Sequence, residues 1–181
     1  PVSLSAQNGI DTADGVRDIY VTGKYAYIGI DENPGTCSGA TLTGCELQIY
    51  DISTPTAITA VSGIDRTIAT RGTFQAGNYL YLGNDIVAGT CDTTTATGCE
   101  FNIYDVSVPG TPVFAGGKDM GADARGLWVT GKYAYTGTTA NASGNEINIL
   151  DIPGATLSNA HIGSLSVEDF SVTNNAKILG A

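Results

Sequence analysis

Val21-Thr-Gly-Lys-Tyr-Ala-Tyr-Ile-Gly29 returns as Gln75-Ala-Gly-Asn-Tyr-Leu-Tyr-Leu-Gly83 and again as Val129-Thr-Gly-Lys-Tyr-Ala-Tyr-Thr-Gly137, each time 54 residues further along. A period of this length marks a chain built from repeated supersecondary units. Inside each copy, Gly23-Lys24, Gly77-Asn78 and Gly131-Lys132 supply a two-residue hairpin turn, because glycine reaches the positive φ that tight turns need. The Tyr-x-Tyr-x-Gly that follows reads as a strand with its tyrosines on one face.

Each unit extends outward in the same way. Arg17, Arg71 and Arg125 open it, again 54 apart. A short run leads into the hairpin: Asp18–Thr22, Gly72–Ala76 and Gly126–Thr130. After a loop comes a third run, Leu47–Ile52, Phe101–Val106 and Ile147–Ile152, then a Ser/Thr/Pro turn and a fourth apolar run, Ala57–Val61 and Pro112–Ala115. β-Branched and aromatic residues fill the runs, and Gly, Pro, Asn and Thr fill the gaps. No apolar stripe has a 3.6-residue period, so helix should be scarce. The expected fold is all-β, a β-propeller-like array of four-stranded antiparallel blades with about three full repeats and partial blades at both ends. A β-sandwich would explain the short strands and turns but not the close repetition.

Tyr-Ala-Tyr-Ile-Gly followed by Leu-Gln-Ile-Tyr-Asp-Ile-Ser-Thr-Pro in the first unit resembles the LVIVD repeat of secreted and surface propeller-like proteins. The second unit keeps Phe-Asn-Ile-Tyr-Asp-Val-Ser-Val-Pro-Gly-Thr-Pro, while the third departs with Ile-Leu-Asp-Ile-Pro. The resemblance covers most of the chain. It implies a structural repeat with no shared catalytic motif.

The whole chain, 1–181, reads as one repeat array. Residues 1–14 align with the last strand of a preceding blade, Pro1-Val-Ser-Leu falling on Pro112-Val-Phe-Ala. Repeats occupy 15–68, 69–122 and 123–167, and 168–181 align with the first two strands of a further blade. Open sheet edges offer unpaired N–H and C=O groups that something should cover. The expectations are a fragment of a longer protein, a small irregular ring, or a subunit completed by its neighbours.

Cys37 and Cys45 stand eight apart, as do Cys91 and Cys99, and the two pairs are 54 apart. The connectivity that respects the repeat is 37–45 with 91–99. Each bridge would pinch the loop between second and third strands and contribute about 2.6 kcal/mol on the chain-entropy model. Such staples persist in oxidising compartments, so the expected location is extracellular or cell-surface. Zinc would want shorter Cys spacing with His nearby. The third loop is eight residues shorter and lacks cysteine. It carries a glycosylation sequon at Asn141-Ala-Ser143, and Thr93–Thr97 could carry O-linked sugar. The sequence opens with neither an initiating Met nor a signal peptide, so if the protein is exported this form is expected to be mature or truncated.

The net charge of −10 disfavours nucleic acid and anionic membrane, both of which want a basic patch. No apolar run is long enough to insert into a membrane as a helix. His161 is the only histidine, and no Gly-x-Ser-x-Gly elbow accompanies it, so no catalytic constellation is expected. Asp51, Asp105 and Asp151 recur at the end of the third strand. Repetition points to fixing the following turn through backbone N–H groups rather than to catalysis. Arg17, Arg71 and Arg125 are expected to pair with such carboxylates or with carbonyls between blades. Asp31-Glu-Asn-Pro-Gly35 has the opening of a calcium loop without the later acidic ligand, since Glu46 is too far along and Asp85 does not reproduce it; it leaves room only for a weak surface calcium site. No other cofactor is expected.

The expected function is that of a non-enzymatic extracellular structural or interaction module. Self-assembly into a surface filament, with strand pairing between copies, is one form of it. Its partners would be copies of itself, other surface proteins or glycans. The alternative is a piece of a larger secreted propeller, either an adhesin or a ligand-binding or enzymatic domain. There Asp119, Asp123 and His161 are the non-repeated polar residues to watch.

Overall fold

The structure, a computed structural model, describes residues 8–32, 35–39, 41–92, 94–140 and 145–152. These contain eleven strands and no helix. Asn141, His161, residues 1–7 of the leading strand read over 1–14, the strands read over 168–181, and everything else beyond Ile152 lie outside the described residues.

Blade A is β1 (Val16–Thr22), β2 (Tyr25–Ile30), β3 (Leu47–Asp51) and β4 (Thr59–Ile64). Blade B is β5 (Thr70–Ala76), β6 (Tyr79–Asn84), β7 (Phe101–Asp105) and β8 (Val113–Lys118). Blade C contributes β9 (Ala124–Thr130), β10 (Tyr133–Thr138) and β11 (Ile147–Asp151). Every pairing is antiparallel between chain neighbours, so each blade is a simple meander. The register repeats as well, with Tyr27 opposite Tyr20 and Ile49, Tyr81 opposite Phe74 and Ile103, and Tyr135 opposite Trp128 and Ile149. Gly23, Gly77 and Gly131 turn the hairpins at φ 55, 59 and 57°. Among the described residues the three sheets form an open, propeller-like blade array.

Blades stack face on face. One face of blade A, with Tyr27, Leu47 and Ile49, meets Leu80, Leu82, Tyr104 and Val106 of blade B. The other face of blade B, with Phe74, Tyr81 and Phe101, meets Val129, Ala134 and Ile152 of blade C. The repeated Tyr-x-Tyr thus fills the join between consecutive blades. Its terminal glycine has a steric reason. A Cβ on Gly29 would sit 2.7 Å from the Thr70 carbonyl oxygen, and one on Gly83 would sit 2.6 Å from that of Ala124. The first strand of the next blade runs across these glycines.

Fourth strands run further than their apolar residues suggest. β4 continues through Gly63 and β8 through Gly116-Gly117, where a sequence reading stops the run. A Cβ on Gly63 would lie 2.5 Å from Cys45 Sγ, and one on Gly117 would lie 3.0 Å from Cys99 Sγ. Here glycine lets the strand pass against the bridged loop. The same landmark resets the alignment of the chain's opening. Ala13, Thr67 and Gly121 all have positive φ, at 65, 56 and 63°, and stand 54 apart. Asn8-Gly-Ile-Asp11 therefore matches Ser62-Gly-Ile-Asp65, three residues away from the frame that the proline match suggests.

Candidate interaction surface

Both predicted bridges are present, Cys37–Cys45 and Cys91–Cys99, each with Cα atoms 4.5 Å apart. Cys45 and Cys99 are fully buried, so each bridge anchors its loop to the blade. Behind them lie two buried carboxylates. Glu46 accepts hydrogen bonds from the Arg66 and Thr67 amides at 2.6 and 3.2 Å. Glu100 accepts from Val87 N at 3.1 Å and Met120 N at 2.7 Å. These acids tie the long loop of one blade to the segment entering the next. Arg66, also buried, donates to the Ala96 and Cys99 carbonyls of blade B at 3.1 and 3.2 Å. Sequence reading missed all three residues. The signal for the acids was Gly-Cys-Glu, repeated at 54.

The opening arginines do not pair with Asp51, Asp105 or Asp151. Arg17 forms a forked pair with Asp31 (Nε to Oδ1 2.5 Å), and Arg71 forms one with Asp85 (Nε to Oδ1 2.7 Å). Arg71 also reaches Asp31 across the blade boundary at 3.2 Å. The third blade has Thr139 at this position, and Arg125 pairs with Asp123 at 2.9 Å instead. The guanidinium of Arg17 holds the Asp31 carboxyl below its ordinary range. Burial alone would raise the Asp123 carboxyl, but the Ile86 N–H and Arg125 lower it. Asp31, the opening residue of the calcium-like stretch, is thus taken up by two cations. Asp119 accepts from Gly121 N and fixes its own turn.

The third-strand aspartates sit at turns. Asp51 accepts from Ser53 N at 2.9 Å, and Asp105 accepts from Ser107 N at 2.8 Å. The Ser53 hydroxyl and amide, with Lys24 beside them, bring Asp51 down to about 2. Asp151 pairs with Lys132 at 3.2 Å.

First strands lie side by side down the inner edge. Asp18 of β1 accepts from both Thr73 N (2.6 Å) and Thr73 Oγ1 (3.0 Å) of β5. Tyr20, Phe74 and Trp128 form a file of rings, one per blade, with centroids 4.9 Å apart at each step. At its two ends this pattern meets solvent. On blade A, Ile19 and Val21 are 56% and 53% exposed. On blade C, Trp128, Ile147 and Ile149 are 61%, 78% and 61% exposed. Between the blades, Tyr81, Phe101 and Ile103 of blade B and Leu150 and Ile152 of blade C line an apolar groove of about 330 Å³.

Two disulfides are compatible with an extracellular protein, and no helix among the described residues is long and apolar enough to cross a membrane. No curated protein matches the chain. Among solved structures, the computationally designed Ika4 protein is similar at 12% identity and a TM-score of 0.48, over 76% of this chain and 66% of that one. The designed Ika8 protein is similar at 12% identity and a TM-score of 0.47, over 78% of this chain and 34% of that one. The family model of the LVIVD repeat matches residues 15–34 and 121–161. In the opening of its first unit and over most of its third, the chain is similar to the LVIVD repeat.

Proposed function

We propose that this chain is a non-enzymatic, extracellular structural module that assembles end to end with further copies of itself. The observation that carries this is a pair of exposed apolar patches, Ile19 and Val21 on the first strand of blade A and Trp128, Ile147 and Ile149 on the outer face of blade C. Equivalent positions between blades are packed, so burying the end faces would gain the same hydrophobic free energy. Two different faces at opposite ends make a heterologous contact, which propagates into rings or filaments. The staples suit an oxidising exterior, and a charge of −10 keeps free copies soluble.

The same faces would also serve adjoining blades of a longer secreted propeller, whether adhesin or ligand-binding domain. Sedimentation velocity across a hundredfold concentration range separates the two. Growing oligomers of an 18.6 kDa chain support assembly, whereas a single species, or native material of higher chain mass, rejects it.

A further inference from the structure

We infer that the outer face of blade C receives β1 of a second copy in the register by which blade B receives β9, with Tyr20 of the incoming copy stacking on Trp128. This rests on the end-to-end reading above and specifies its joint. Three elements of the blade B–blade C join have uncovered counterparts, among the described residues, one repeat further on. Gly72 of blade B admits the Arg125 carbonyl so closely that no Cβ could fit. Its counterpart Gly126 has nothing within 4 Å of a Cβ among the described residues. Gly83 lies under the Ala124 carbonyl, and its counterpart Gly137 has no neighbour nearer than 3.9 Å. Phe74 is packed between Tyr20 and Trp128, whereas Trp128 has a ring neighbour on one side and is 61% exposed.

The incoming side matches. Leu127 and Val129, which pack on blade B, stand 108 residues after Ile19 and Val21. Ile10 packs on the Tyr50 cluster as Ile64, 54 residues later, packs on the Tyr104 cluster. The segment entering blade A is therefore folded as it is at an internal join, and of its outer face the first strand, with Ile19 and Val21, is left exposed, while Ala26, Ile28 and Ile30 are buried. In a second copy, the Val16 and Arg17 carbonyls would cross Gly137 and Gly126 as those of Ala124 and Arg125 cross Gly83 and Gly72.

Gly126→Val and Gly137→Val test this on the full chain. Neither glycine has positive φ, and both face open space, so valine fits a free copy and suits a strand. Trp128 is the only tryptophan and reports the joint directly. We expect the parent to associate with rising concentration while its emission shifts to shorter wavelength. At concentrations where the parent is monomeric both variants should match its melting temperature, and at higher concentrations they should stay monomeric, with unshifted emission. Val21→Asp should do the same from the other side. Mixing it with Gly137→Val should give one-to-one dimers, since each supplies the face the other lacks.

If parent and variants associate equally, copies join through another surface, and this inference falls while the proposed function stands. A parent that stays monomeric overturns both. Variants that melt well below the monomeric parent would mean that the same chain already covers this face, which also overturns the joint.

Discussion

Gly83→Ala should separate the packed joints from the open one. The added methyl would stand 2.6 Å from the Ala124 carbonyl oxygen, about 0.8 Å inside ordinary contact, and 3.1 Å from its carbon. Both partners are backbone, Gly83 paired with Gly72 and Phe101 in β6, and Ala124 paired with Thr138. Neither can yield without moving a blade. Overpacking of this kind costs about 1–3 kcal/mol, and the reduced freedom of the unfolded chain returns about 0.4–1 kcal/mol. Taking the middle of each range, the net loss is about 1.3 kcal/mol, which for a chain of this size lowers the melting temperature by about 3–5 °C. Gly137→Ala adds the same methyl at the same place in blade C, where the nearest atoms stand at 3.9 and 4.0 Å. It should be neutral, or stabilising by about 0.4–1 kcal/mol. Thermal melts of both variants, run at concentrations where the parent is monomeric and with disulfides intact, make the comparison. Equal losses at the two glycines, or a stable Gly83→Ala, would refute close approach of the next blade as the reason for the motif's glycine.

Other consequences are measurable on the same material. Replacing Cys91 and Cys99 together by serine should cost about 2.6 kcal/mol, read as a lower denaturation midpoint; no change would mean that the loop is ordered without its bridge. Arg66→Ala should cost on the order of 3 kcal/mol, because the Ala96 and Cys99 carbonyls lose their donor in a buried place; a loss under about 0.5 kcal/mol, the range of an ordinary surface change, would contradict its role as a clamp. Asp51 and Asp92 are held at about 2, Asp92 by the Thr94 hydroxyl and amide and by Thr95. Unfolded carboxyls titrate near 3.9. Their contribution is therefore complete above about pH 4 and is lost as pH falls toward about 2. The melting temperature should be flat from neutrality to about pH 4.5 and then drop, and Asp51→Asn should shrink the drop; a decline already under way at pH 6 would contradict this assignment.

Much of this architecture is readable from spacing alone. Strands pair where the 54-residue repeat places them, because Tyr-x-Tyr-x-Gly encodes both a face to bury and a glycine for the next blade to cross. Cys37–Cys45 and Cys91–Cys99 follow from the same period. What escaped depends on tertiary proximity. Gly63 and Gly117 look like strand ends, and only the cysteine side chains beneath them explain why the strands continue. Glu46, Glu100 and Arg66 are charged residues that a sequence places on the surface. They are buried because amides and carbonyls of the adjoining blade satisfy them, and no local pattern announces those partners. The arginines were expected to meet carboxylates, but Asp31 and Asp85 lie at the far end of the neighbouring strand, where register rather than sequence proximity brings them close. The proposed interaction surface was legible only as open edges; that the exposed residues at its two ends match packed ones emerges once Ile19 is aligned with Leu127 and Phe74 with Trp128.

The most direct measurement is high-resolution electron microscopy of assembled native material, with the intact mass of its chain determined alongside. The account predicts polymers of a chain of about 18.6 kDa in which β1 of each copy crosses β9 of the last, so that the blade stack continues unbroken through the joint. Isolated single chains, or polymers in which Trp128 and Ile149 still face solvent, would contradict it.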